Sequence, residues 1–318
     1  MKRDIGIDII KFFAALLITN SHMEALYPQN LAFLATGGAI GDALFFFCSG
    51  FTLFLKPMGR FDLWYKKRIN RIYPTIFVRA ILFAFVFNIH YDMSYTIIHG
   101  GGWFISCIMI YYVIAYIIDR FMSNQLYLSF ALASIITIVV FFLWDKPENF
   151  AMYGNTYLKW VFFFLFMLLG AIVGKNPKTI SGTKSLILLV LSFITYYAII
   201  IPSQRYDKIN DLQLVSLIPL LGITYFTYSL FNCNKAKQLF NKKYLNNVIM
   251  FIGGLCLEIY LIQNPLLKID LGLSYPANYI IMFIMIIVGA YILRCLARIF
   301  SQTFSKEDYD WRKVFKAM

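Results

Sequence analysis

Ile7-Asp8-Ile9-Ile10-Lys11-Phe12-Phe13-Ala14-Ala15-Leu16-Leu17-Ile18-Thr19-Asn20-Ser21-His22-Met23-Glu24-Ala25-Leu26 is apolar enough to cross a membrane, yet it carries an acid, a lysine, an asparagine, a histidine and a glutamate. A helix of ~20 apolar residues covers the hydrocarbon layer. At ~100° and 1.5 Å per residue, Lys11 and His22 face the same way and lie ~16 Å apart along the axis. Asp8 stands one turn before Lys11 and can pair with it. Lys2 and Arg3 precede the run, as in a secretory leader. However, Asp4, Asp8 and Lys11 interrupt its start and no small-x-small cleavage site follows, so it reads as a retained first transmembrane helix.

The rest of the 318 residues extends that reading. The chain is 60% hydrophobic and 14% charged, with a mean hydropathy of +0.68. A soluble domain is about 45–50% apolar and about 25% charged. This composition excludes a soluble enzyme, a secreted disulfide scaffold and a disordered chain, and leaves an integral membrane protein. Cys48, Cys107, Cys233, Cys256 and Cys295 are scattered without a C-x-x-C, so neither a zinc site nor a disulfide framework is indicated. The net charge of +13 is what positive-inside loops produce, and gives no reason to expect nucleic acid as a partner.

The expected fold is all-α: a polytopic membrane bundle of about ten transmembrane helices, forming one domain over 1–318. The spans are 7–26, 38–55, 72–89, 102–119, 126–144, 157–174, 185–201, 212–231, 248–267 and 278–299. With the N-terminus in the cytoplasm, only Lys146, Lys159, Arg205, Lys208 and Lys268 fall on the outer side. The basic clusters within 56–71, 175–184, 235–243 and 298–316 all fall inside, so both termini are expected to be cytoplasmic. Those clusters also suit anionic lipid headgroups.

An ionisable group costs ~2.5–3.5 kcal/mol at the centre of a span, which makes such groups the first candidates for function. The first helix holds the densest set. Phe45-Phe46-Phe47-Cys48-Ser49-Gly50-Phe51 puts Ser-Gly in an apolar span, where it allows a kink or close helix approach. Between the second and third spans, Arg68 and Arg71 share a face if their segment is helical, and two guanidinium groups there can grip a phosphate. Glu258-Ile259-Tyr260-Leu261-Ile262-Gln263-Asn264-Pro265 places an acid and two amides beside a helix breaker.

Taken together these pieces resemble the membrane-bound acyltransferase-3 family. Lys11 to His22 is similar to its opening motif of a basic residue, ten intervening residues and a histidine, although arginine is frequent where Lys11 stands. Phe46 to Phe51 resembles its Phe-Phe-x-x-Ser-Gly-Phe signature, and Arg68 and Arg71 before Ile72-Tyr73-Pro74 resemble its R-x-x-R motif. Gly102-Trp103-Phe104 is similar to its Trp-aromatic helix opening. Glu258 to Gln263 resembles a late Tyr-Leu-Ile-His stretch, with Gln263 in place of the histidine.

The resemblance implies transfer of an acyl group, usually acetyl, from cytoplasmic acyl-CoA to a hydroxyl of a cell-surface polysaccharide or lipid-linked sugar, in a bacterial-type inner membrane. On that reading acetyl-CoA is a co-substrate and no metal is needed. Lys11, Arg68 and Arg71 meet the phosphates of the donor, and His22 is the general base. Glu24, Ser49, Glu258, Gln263 and Asn264 are candidates for the substrate pocket, where Glu24 or Glu258 orients the imidazole and Asn20, Asn264 or Ser49 stabilises the oxyanion. Two readings of another class stand beside it: a transporter or flippase of a glycan precursor, and a non-catalytic assembly subunit.

Overall fold

The computed structural model describes residues 4–154 and 156–316; Lys2 and Arg3, which precede the first apolar run, lie outside the described residues. Among the described residues fifteen α-helices follow one another: α1 Ile5–His22, α2 Gly38–Leu53, α3 Phe61–Val86, α4 Met93–His99, α5 Trp103–Phe121, α6 Leu126–Leu143, α7 Lys159–Lys175, α8 Gly182–Arg205, α9 Leu212–Val215, α10 Leu217–Phe231, α11 Asn234–Phe240, α12 Lys243–Gly254, α13 Cys256–Leu266, α14 Ala277–Thr303 and α15 Trp311–Val314. Among the described residues there is no strand. The protein is an all-α polytopic helix bundle.

Eight of the described helical segments are long and apolar enough to cross a membrane, nine when the bent pair α12–α13 counts as one. α7, at 17 residues, falls just short by length, although 17 still lies within the range that spans a bilayer. Each of the ten expected segments is therefore helical. Three edges differ. α1 ends at His22 and passes into a short 3-10 turn, Glu24–Leu26. α3 begins at Phe61, eleven residues before the expected span, so the basic stretch is helical. The expected 248–267 span is broken at Leu255 by a 67° bend.

The chain divides into two compact units. The first comprises 1–14, 39–58 and 114–246. Its core is α7, which is buried on almost every side and packs against α6 and α10. Between lipid-embedded helices there is no gain from leaving water, so close packing has to supply the attraction. Glycines supply it here. A Cβ on Gly50 of α2 would overlap the Met167 carbonyl of α7, and one on Gly170 would overlap the Phe47 carbonyl of α2. Gly170 and Gly174 are four apart on one face, the small-x-x-x-small spacing that lets two backbones touch. Aromatic rings fill the flanks: Phe47 and Phe51 lie 5.6 and 5.5 Å from the Tyr228 ring. Gln213, fully buried, ties down the 150–152 loop, donating to the Phe150 carbonyl at 2.8 Å and accepting from the Met152 amide at 2.7 Å.

The second unit comprises 15–38, 59–113 and 247–318. Here α3, α13 and α14 pack pairwise. α13 carries Pro265, which has no N–H for the carbonyl four residues earlier. That carbonyl belongs to Leu261, and Arg79 Nε of α3 donates to it at 2.9 Å. At the other end of α13 the bend frees the Gly254 carbonyl, and Arg294 of α14 donates to it. Each backbone defect in α13 is thus repaired by an arginine from a neighbouring helix, as membrane-embedded irregularities require.

Candidate active site

His22 is the last residue of α1 and is exposed, at the point where the helix gives way to the 3-10 turn bearing the equally exposed Glu24. Asn20 fixes this transition. Its Nδ2 donates to the Leu34 and Thr36 carbonyls at 2.8 and 3.1 Å, and its Oδ1 accepts from the hydroxyls of Tyr27 and Tyr279 at 2.7 and 3.0 Å. Burial, with Tyr279 beside it, pushes the Tyr27 phenol above its ordinary range, so it stays a donor. All four bonding positions of Asn20 are taken, so as placed it braces the loop that follows α1. Lys11, on the same helix, is half-buried.

Because α3 starts at Phe61, Arg68 and Arg71 stand on it one turn apart. Their surroundings differ. Arg71 is exposed. Arg68 is half-buried, with its guanidinium carbon 5.0 Å from the centre of the Trp64 ring and 5.5 Å from that of Tyr112. Two aromatic faces hold the cation in place without neutralising it. Its Nε is buried and has no hydrogen-bond partner. A buried donor left without a partner suits an anionic ligand group.

α13 carries the late cluster. Glu258 is buried and its two carboxylate oxygens accept from Arg294 Nε at 3.3 Å and Nη2 at 3.0 Å. Gln263 is 1% exposed, and its Oε1 has no partner. Asn264, next to it, is exposed. His22, Glu24, Arg68, Arg71, Glu258, Gln263 and Asn264 all fall within the second unit, whereas Lys11 and Ser49 fall within the first. Ser49 is half-buried on α2, and its carbonyl accepts from the Thr52 hydroxyl at 3.1 Å. Among the described residues no group of three or more His, Cys, Asp or Glu is placed to hold a metal ion.

Sequence reasoning passed over two arginines in this unit. Arg294 is the partner of Glu258, and a spacing of 36 residues carries no local signal. Arg79 is 4% exposed in the span of α3. Its signal was available twice: an arginine inside an apolar run, and a proline whose orphaned carbonyl needs a donor.

A family model described as an acyltransferase domain, that of the acyltransferase-3 family, matches residues 4–295. No curated protein and no solved structure matches the chain.

Proposed function

The chain belongs to the acyltransferase-3 family, and on that premise we propose that it transfers an acyl group, acetyl first among them, from cytoplasmic acyl-CoA to a sugar hydroxyl. The acceptor is a cell-surface polysaccharide or a lipid-linked sugar. The membrane is the cytoplasmic membrane of a bacterial-type cell, with both termini on the cytoplasmic side.

The observation that carries the reading is His22: an exposed imidazole closing an unbroken helix, next in sequence to a loop that Asn20 braces. A sugar hydroxyl is a poor nucleophile until its proton is removed, and a neutral imidazole can remove it. The hydroxyl oxygen then attacks the thioester carbonyl carbon, the carbon–sulfur bond breaks, and the proton passes from His22 to the departing thiolate. Arg68 has a pinned charge and a buried donor to offer a phosphate of the donor substrate, and exposed Arg71 adds a second guanidinium one turn away.

The test is label transfer from radiolabelled acetyl-CoA in membranes containing native glycan lipids. His22→Ala should lower transfer by ~10²–10⁴-fold, the usual worth of a general base, with insertion unchanged. Arg68→Ala should raise the donor KM more than it lowers kcat. Full transfer by His22→Ala refutes the base role. Movement of glycan precursor without any need for acyl-CoA would establish the transporter reading, for which the broken pair α12–α13 is the structural starting point.

A further inference from the structure

Where α2, α5 and α7 end, the first unit holds a cavity of about 410 Å³ that no step of the acyl transfer uses. That volume lies in the ~300–1,000 Å³ range of small-ligand pockets. Phe54 and Leu55, just past α2, form an apolar part of its wall, and Lys56 follows them. Asp119 and Ser123 come from the end of α5 and the turn after it, and Lys175 closes α7. Two bonds fix the walls. Asp119 Oδ2 accepts from the Met58 amide at 3.1 Å, and Lys175 Nζ donates to the Ser123 carbonyl at 2.6 Å. No ion pair among the described residues includes Lys56, Asp119 or Lys175.

The charges around this space are of both signs. A helix C-terminus carries about half a negative charge on its last carbonyls, and three helices end here. Lys56 and Lys175 suit the ends of α2 and α7 on that account. Asp119 does not suit the end of α5, because an acid there adds to the negative end of its helix. The Met58 amide occupies one of its oxygens, and the other bonds to no described residue. A bare anion in the cavity meets two ammonium groups but also Asp119 and the carbonyl ends. A bare cation meets the carboxylate and carbonyls but also the two lysines. A ligand that carries an anion and a hydrogen-bonding cation a short distance apart satisfies both sets at once.

We propose that this cavity binds an aminoethyl phosphate group, the headgroup of phosphatidylethanolamine, with the phosphate on Lys56 and Lys175 and the ammonium on Asp119 and the helix-end carbonyls. Lysine serves phosphate as a point charge, and basic pockets between transmembrane helices take phospholipid headgroups. Lys56 and Lys175 belong to the basic clusters that mark the cytoplasmic side, so the leaflet there is the nearest source of such a group. Phe54 and Leu55 offer the apolar wall that the glycerol end of a lipid requires. The same group free in solution is the other source. None of these residues belongs to the proposed base or to the grip on the donor, so the inference stands apart from the acyl-transfer reading.

The experiment is native mass spectrometry of the purified full chain, titrated in detergent with dioleoyl phosphatidylethanolamine, phosphatidylglycerol or phosphatidylcholine. General attraction of a basic surface favours the anionic phosphatidylglycerol. The cavity predicts a different order. Phosphatidylethanolamine should bind about tenfold or more tighter than either, because only its ammonium brings both a positive charge and protons to donate. Asp119→Asn, which keeps an oxygen for the Met58 amide, should lower phosphatidylethanolamine to the level of phosphatidylcholine. Lys56→Gln alters a side chain that bonds to no described residue, and should weaken phosphatidylethanolamine about tenfold even if Asp119→Asn does not fold. Glycerophosphoethanolamine, which has no acyl chains, separates the sources. Competition at concentrations near those of the lipid assigns the site to a soluble group; lipid binding without such competition assigns it to the membrane. Preference for phosphatidylglycerol, equal binding of the three lipids, or a phosphatidylethanolamine preference that survives both substitutions overturns the proposal.

Discussion

Removing the Arg294 side chain tests what holds α13 in place. Arg294 reaches both oxygens of Glu258 and the carbonyl that the bend at Gly254 leaves open. The two side chains are 14% and 9% exposed, so solvent does little to replace the lost contacts. A hydrogen bond to a charged group contributes ~1.5–3 kcal/mol, and removing one member of a buried pair costs ~3–5 kcal/mol. The low end applies here, because two of the three bonds share one carboxylate. Arg294→Ala should therefore cost about 3 kcal/mol. Glu258→Gln, which keeps an acceptor but no charge, should cost about 1–2 kcal/mol. A Glu258→Met, Arg294→Met double variant should cost less than the two single changes added together, since neither leaves an unpaired charge behind. Reversible unfolding in mixed micelles with increasing SDS, followed by helical circular dichroism, gives each value. The reasoning is refuted if Arg294→Ala costs under ~0.5 kcal/mol or if the double variant equals the sum of the singles.

Gly170→Ala forces the α2 and α7 backbones apart and should destabilise by ~1–3 kcal/mol or prevent folding; a fully stable variant in the same assay would contradict the close contact. Pro265→Ala returns an N–H to the Leu261 carbonyl, so Arg79→Gln should be less destabilising in that background than alone; equal losses would show that Arg79 does not serve that carbonyl. Asp310 accepts from the Lys313 amide at 3.1 Å, and this bond, with the Lys313 ammonium nearby, holds its carboxyl below the ordinary carboxylate range. The native group is then the stronger acid, so the α15 cap is complete above the unfolded pKa of ~3.9 and is lost as pH falls through the depressed native value. The amide resonance of Lys313 should move in that acid window and stay still near neutrality.

The helices with uniform apolar faces were legible from residue type alone, and the Ser49-Gly50 pair correctly signalled a close helix approach. The start of α3 was hidden because Lys66, Lys67, Arg68 and Arg71 depress hydropathy without opposing helix formation. The bend at Leu255 was missed because Gly253-Gly254 is equally compatible with a straight packed helix. At the site, the one-helix relation of Arg68 with Arg71 could be read, since helical spacing fixes it. The Arg294–Glu258 and Arg79–Leu261 contacts could not, because they are choices of tertiary partner.

Those two contacts also impose a schedule on biogenesis. Arg79 and Leu261 are 182 residues apart in the chain. At ~5–20 residues per second, a ribosome needs about 10–40 s to cover that distance. Throughout that interval α3 carries a guanidinium whose carbonyl has not been made. Glu258 waits only 36 residues for Arg294, about 2–7 s at the same pace. The last-made helices therefore supply the acceptor that an early arginine awaits, and a nascent chain halted before α13 would present Arg79 without its carbonyl to the insertion machinery.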